Sequence, residues 1–207
     1  MRGLARATVL GCALAALWSA PAGAQRRVQL DVGVPSQATP VVVTATGLFG
    51  DPDMRELVRS GFPASLRYRL ELWRAGGLFN DLEGTHEWEL IVQYDPSGQR
   101  YRVVRREAGR LEDLGSFATL TTAQAMLERP LRIALSPQRQ SKKYYYNFVL
   151  DISALSVSDM DQLERWLRGV RGGSAAGAIG SGMRTLMLRM LGGENQHYER
   201  RSSTFLN

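Results

Sequence analysis

Along most of this chain apolar and polar residues alternate with a period of two, which puts successive side chains on opposite faces of a strand. Val28, Leu30, Val32 and Val34 keep that rhythm from Arg27 to Val34, and Val41–Thr46 is a second strand after a loop from Pro35 to Pro40. In "SLRYRLELW", Leu66, Tyr68, Leu70 and Leu72 alternate with Ser65, Arg67, Arg69 and Glu71. In "HEWELIVQY", Trp88, Leu90, Val92 and Tyr94 alternate with Glu87, Glu89, Ile91 and Gln93. "DPSG" at 95–98 has the composition of a type I turn, and "QRYRVVRRE" returns from it. Folding the hairpin about that turn sets Gln93 opposite Arg100, Val92 opposite Tyr101 and Glu87 opposite Arg106. Glu87 and Glu89 then lie between Arg67 and Arg69 on one neighbouring strand and Arg102 and Arg106 on the other, pairs worth about 0.2–1 kcal/mol each. Further strands are expected at 111–118, 131–136 and 142–153, the last presenting Tyr144, Tyr146, Phe148 and Leu150 to one side.

The rhythm breaks where helices are expected. In "DPDMRELVRSG", Asp51 is the cap, Pro52 the first helical residue and Gly61 the stop, with Met54, Leu57 and Val58 on one face. In "GSFATLTTAQAMLERP", Thr121 and Gln124 have the spacing of a capping box, Ala123, Met126 and Leu127 form an apolar face, and Pro130 blocks continuation. A third helix is expected from Asp159 to Arg168, capped by Ser158 and stopped by Gly169.

These elements predict a mainly β fold: an antiparallel β-sandwich or strongly curved sheet with about three short peripheral helices and a flexible C-terminal tail. Residues 25–168 form the β-rich domain. Residues 169–207 form a Gly-rich linker with a short amphipathic helix at 183–191 (Met183, Leu186, Met187 and Met190 on one face) and a frayed end. Arg74 to Gly84, "RAGGLFNDLEG", is expected as a hairpin connection longer than usual, with Leu78 and Phe79 among glycines and acids either folding back over the sheet edge, the reading favoured by packing, or meeting a partner.

Composition adds a location. "MRGLARATVLGCALAALWSAPAGAQ" has basic Arg2 and Arg6, an apolar run from Ala7 to Trp18 too short to span a bilayer, and a small-x-small site at Ala22–Ala24. It reads as a signal peptide over residues 1–24, cleaved after Ala24, and the protein as periplasmic or otherwise exported; a lipobox ending at Cys12 is the alternative. Cleavage lowers the formal net charge from +6 to +4 and removes the only cysteine, leaving no disulfide or thiol chemistry. The positive charge is almost all arginine, Lys142 and Lys143 being the only lysines. For an exported protein anionic lipid or an acidic partner matches that balance better than nucleic acid, which is not expected, and plain solubility matches it better still.

Catalytic signals are sparse. "HEWEL" at His86 lacks the second His of a zinc-protease helix and sits in a strand, and no Ser has the flanking glycines of a nucleophile elbow. "GGSAAGAIGSGM" lacks the Lys-Ser/Thr of a phosphate-binding loop, and "KKYYYNF" reads as a strand with a basic edge. No enzyme, metal or cofactor is therefore expected.

The runs "GFPASLRYRLELWR", "YRVV" and "FATLTTAQAML" resemble a bacterial exported family known as domain of unknown function 4390, over residues 27–168. The matching positions are Gly61-Phe62-Pro63, Tyr101-Arg102-Val103 and Phe117 to Ala123. The chain departs from the family's Trp-rich C-terminal segment, keeping only Trp166 before a Gly-rich tail. The resemblance implies an accessory role in the cell envelope, linked to a membrane sensor kinase, and brings no site residues with it. The expected function is a non-catalytic binding module contacting an envelope or membrane protein through Leu78, Phe79, Met183, Leu186, Met187 and Met190, with weak membrane-surface contact through the tail. The alternative is a periplasmic carrier of a lipid or other apolar ligand held among Tyr68, Trp88, Tyr94, Tyr101, Tyr144, Tyr146 and Phe148.

Overall fold

Alternation in the sequence becomes two antiparallel sheets in the computed structural model, which describes residues 27–34, 40–76, 79–154 and 196–207. The smaller sheet has β1 (Gln29–Gly33) paired with β2 (Val41–Thr46), and β2 paired with β7 (Leu131–Ile133). The larger is built on β3 (Ala64–Arg74), which pairs with β4 (Asp81–Asp95) on one side and β8 (Lys143–Ala154) on the other. Beyond β4 come β5 (Arg100–Glu107) and β6 (Arg110–Phe117); beyond β8 come β9 (Gln196–Arg201) and β10 (Phe205–Leu206). Val41, Val43 and Ile133 of the small sheet share one hydrophobic cluster with Leu66, Leu70, Val92, Val103 and Ile152 of the large one. Two sheets closing on one core are consistent with a β-sandwich.

Two helices lie among the described residues, and both end as local chemistry dictates. The α1 helix (Pro52–Arg59) is capped by Asp51, whose Oδ1 accepts from Asp53 N, and it buries Met54, Leu57 and Val58 as expected. Phe62 N donates to Leu57 O and Gly61 N to Val58 O, with Gly61 at φ +94°, the paired bonds of a glycine-terminated helix. The α2 helix (Leu120–Leu127) starts earlier than its spacing suggested. Thr119, not Thr121, is the cap, and it exchanges hydrogen bonds with Thr122. Gln124 and Glu128 instead fasten the helix to the small sheet. Glu128 Oε1 accepts from Gly47 N at 2.7 Å, Leu48 N at 3.2 Å and Gln124 Nε2 at 2.6 Å. The stretch closes the fold, with Leu120, Ala123 and Leu127 buried beneath it.

Three expectations are corrected. The β4–β5 register is two residues from that expected, with Asp95 opposite Arg100, Val92 opposite Val103 and Glu89 opposite Arg106. Asp95 Oδ1 accepts from Ser97 N, and Gln99 adopts a left-handed φ of 50°, so the chain reverses within residues 96–99 and β4 runs on to Asp95. The shift is even, so each side chain keeps its face but changes its partner. The long 74–84 loop shrinks likewise, because β3 continues to Arg74 and β4 begins at Asp81. Finally, residues 196–207 are not frayed: they run antiparallel along β8 as β9 and β10. Phe205 stacks on Tyr146 with ring centroids 5.4 Å apart, which fixes this segment to the core. The helix expected at 159–168, the Gly-rich stretch at 169–182 and the 183–191 segment lie outside the described residues.

Candidate functional site

The face of the large sheet turned away from the shared core carries charges, and Arg67, Arg69, Arg102 and Arg106 there all meet acids. Arg67 Nε and Arg106 Nη1 converge from the strands flanking β4 on the Glu89 carboxylate, at 3.4 and 2.9 Å, and Ser65 Oγ donates to the same group. Glu89 is only 7% exposed. Arg69 turns to Glu71 at 2.9 Å and Arg102 to Asp113 at 2.7 Å. The arginines that could have formed an anion-binding face are thus neutralised by their neighbours. Both histidines also sit beside carboxylates: His86 Nε2 is 3.0 Å from Glu107 Oε1, and His197 Nδ1 is 2.7 Å from Asp151 Oδ1. No serine hydroxyl bonds to either among the described residues.

One end of the same face is different. There Trp73 and Tyr145 stack across strands, rings 6.4 Å apart and 4° from parallel, with the Arg201 guanidinium 3.4 Å above the Tyr145 ring. Trp73 Nε1 and Asn147 Nδ2 both donate to Glu71 Oε2, at 2.8 and 3.1 Å, so the stack is held from its inner side. Asn80 Nδ2 donates to Tyr145 Oη at 3.2 Å, tying the β3–β4 connection to it. Arg74 bridges that connection by pairing with Asp81 and, at 3.5 Å, with Glu83; chiefly the Asp81 hydrogen bond raises its guanidinium pKa. On this framework stand the three exposed large hydrophobic side chains of the described residues: Phe79 at 82%, Leu82 at 50% and Leu206 at 68%.

Two register breaks produce that arrangement. Leu72 faces Gly84 while the next residue, Trp73, faces Leu82, so Glu83 is an extra residue and Leu82 follows Trp73 to the outer face. A Cβ at Gly84 would come within 2.9 Å of Leu135 Cδ1, so a larger residue there would make that leucine shift. On the other edge Asn147 faces Arg201 but Tyr144 faces Phe205, one residue out of step. Ser202 absorbs the break, its N donating to Tyr146 O and its Oγ accepting from Tyr146 N, both at 2.9 Å. Phe205 consequently turns inward and Leu206 outward.

Of the residues expected to make contact, Phe79 lies exposed on the surface in the β3–β4 connection. Leu78, Met183, Leu186, Met187 and Met190 lie outside the described residues. Trp73, Leu82, Tyr145, Arg201 and Leu206 were missed; Gly84 was the one local signal of the break behind Leu82. The aromatics considered as a ligand lining are packed ring on ring. Tyr68 and Trp88 stack at 5.0 Å, and Phe148 lies about 6 Å from both. An open cleft of about 540 Å³ lies elsewhere, between β1 and β9, lined by Val28, Leu30, Thr46, Tyr198 and Arg200 among others.

Among the described residues no group of three or more His, Cys, Asp or Glu side chains is placed to hold a metal ion, and no helix is long and apolar enough to cross a membrane. Compared with protein-family models, curated proteins and solved structures, the chain matches none.

Proposed function

We propose that this chain is a non-catalytic binding module exported to the bacterial cell envelope, with the β3–β4 end of its large sheet as the contact surface. The observation that carries the reading is Phe79, an aromatic 82% exposed at the tip of a connection that Arg74, Asn80 and Tyr145 hold in place. An exposed aromatic on a fixed support gains by burial against a partner and loses little conformational freedom in doing so. The charged remainder of the face has its pairs already and offers no comparable incentive. Export with cleavage after Ala24, membership of the domain of unknown function 4390 family and a functional link to a membrane sensor kinase belong to the same proposal.

The test is cross-linking in the native envelope followed by recovery of the protein. Phe79→Ser should reduce recovery of whatever cross-links by about tenfold, the worth of one buried aromatic at an interface. It should shift unfolding stability by less than about 0.5 kcal/mol, as surface changes do. Unchanged recovery, or a fall in stability in its place, would remove Phe79 from the contact surface.

A further inference from the structure

We infer that the β3–β4 end of the large sheet docks on an anionic lipid surface. This rests on the proposed binding role of that end and names what it binds. Of the three exposed large hydrophobics, Phe79 and Leu82 share one connection and Leu206 lies far along the chain, yet all three stand at this end. Leu206 lies opposite Lys143, Lys143 O accepts from Ala75 N at 2.8 Å, and Ala75 continues the strand that pairs Trp73 with Leu82. Leu206 and the β4 strand are therefore three strand spacings apart, about 14 Å. Phe79 is exposed in the connection that Asn80 ties to Tyr145 of β8.

Among the described residues, the charges left without an ion pair around this end are positive. Lys142 and Lys143, the only lysines of the chain, stand just before and at the start of β8 at this end, and Arg139 is exposed in the loop before them. Tyr144 Oη and Asn207 Nδ2 both donate to Arg139 O, which pins that loop to the sheet end. None of the three cations has a carboxylate within ion-pair distance among the described residues. The nearby acids, Asp81 and Glu83, are both engaged by Arg74. Everywhere else on the face arginine meets acid; here free cations meet free apolar side chains.

That combination matches an anionic bilayer better than it matches a protein. Apolar side chains reach the boundary between headgroups and acyl chains while nearby cations stay among the phosphates. Trp73 and Tyr145, each with an apolar ring and a polar end, suit the level of the headgroups. The core of a protein interface is depleted of charge, whereas here Lys143 lies directly opposite Leu206. Lys143 also shares the outer face with Leu206, so cation and apolar group approach the same plane.

The purified protein is mixed with vesicles of phosphatidylcholine, with and without phosphatidylglycerol, and sedimented at low and moderate salt. Binding is expected to the anionic vesicles only and to weaken as salt is added. Replacing both lysines, Lys142→Ala with Lys143→Ala, should lower partitioning about twentyfold, given the usual worth of a juxtamembrane cation. Phe79→Ser should lower it about tenfold. Equal binding to neutral vesicles, no binding to either kind, or binding that survives both sets of substitutions would overturn the inference. Failure with vesicles alongside Phe79-dependent cross-linking to an envelope protein would leave the binding role standing with a protein as its target. Loss of both would end both readings.

Discussion

Glu87 and Glu89 occupy successive positions on one face of β4, yet they differ in everything that sets the cost of replacing them. Glu89 is buried and gathers Ser65, Arg67 and Arg106; Glu87 is exposed and faces Arg69, which turns to Glu71 instead. Arg67 is 58% exposed, so water screens part of its attraction. The buried end of the network is the costly one, because a neutral Glu89→Gln leaves the buried Ser65 and the partly exposed Arg106 with a poorer partner. We expect Glu89→Gln to cost about 1–3 kcal/mol and Glu87→Gln less than about 0.5 kcal/mol in urea unfolding. Equal losses would mean that the face is stabilised by diffuse charge balance and not by this one carboxylate. The sequence showed an acidic strand between basic ones, but the shift of two residues in the hairpin decided which acid mattered.

At the level of the element, start and stop signals were legible where one residue supplies the chemistry. Asp51, Pro52 and Gly61 bound α1 as read, because a cap, a fixed φ and a left-handed stop need no tertiary help. The start of α2 was ambiguous, since Thr119, Thr121 and Thr122 all have side chains that can cap. What decides it is Leu120, buried in the core, which brings the helix start forward. Thr119→Ala should therefore cost about 1 kcal/mol in thermal unfolding while Thr121→Ala stays within about 0.5 kcal/mol; the reverse order would restore the later start. Strand interiors were legible from alternation, and the seam of β3, β4 and β8 follows it closely. The surface that matters was not. Leu82 and Leu206 point outward because one extra residue interrupts the alternation near each, and a period-two pattern cannot reveal its own interruptions. Residues 196–207 escaped notice for a related reason: a charged edge strand, "QHYERR", has only one covered edge and little apolar content to betray it.

For the molecule as a whole, burial of tyrosines links the core to alkaline pH. Burial raises the phenol pKa of Tyr68, Tyr146, Tyr144, Tyr101 and Tyr198, that of Tyr146 up to about 12, from an ordinary 10.0. The folded state thus holds these protons more tightly than the unfolded chain. Their contribution to stability is fully present below about pH 10 and is lost as pH climbs through the raised values. Tyrosinate absorbance and far-ultraviolet dichroism followed together should change in one step above pH 10, because the buried phenols ionise as the sheets open. Smooth ionisation near pH 10 with the dichroism intact would show that the aromatic core admits solvent. The pairing of β8 with residues 196–207 has a consequence in time as well. When a ribosome or an export pore delivers the chain in order, β8 has its partner β3 at once but must wait for residues 155–195 to pass before its other edge is covered. Until then its main-chain donors and acceptors stand open to any passing strand, so the interval between those two arrivals is when a holding chaperone would protect this chain most.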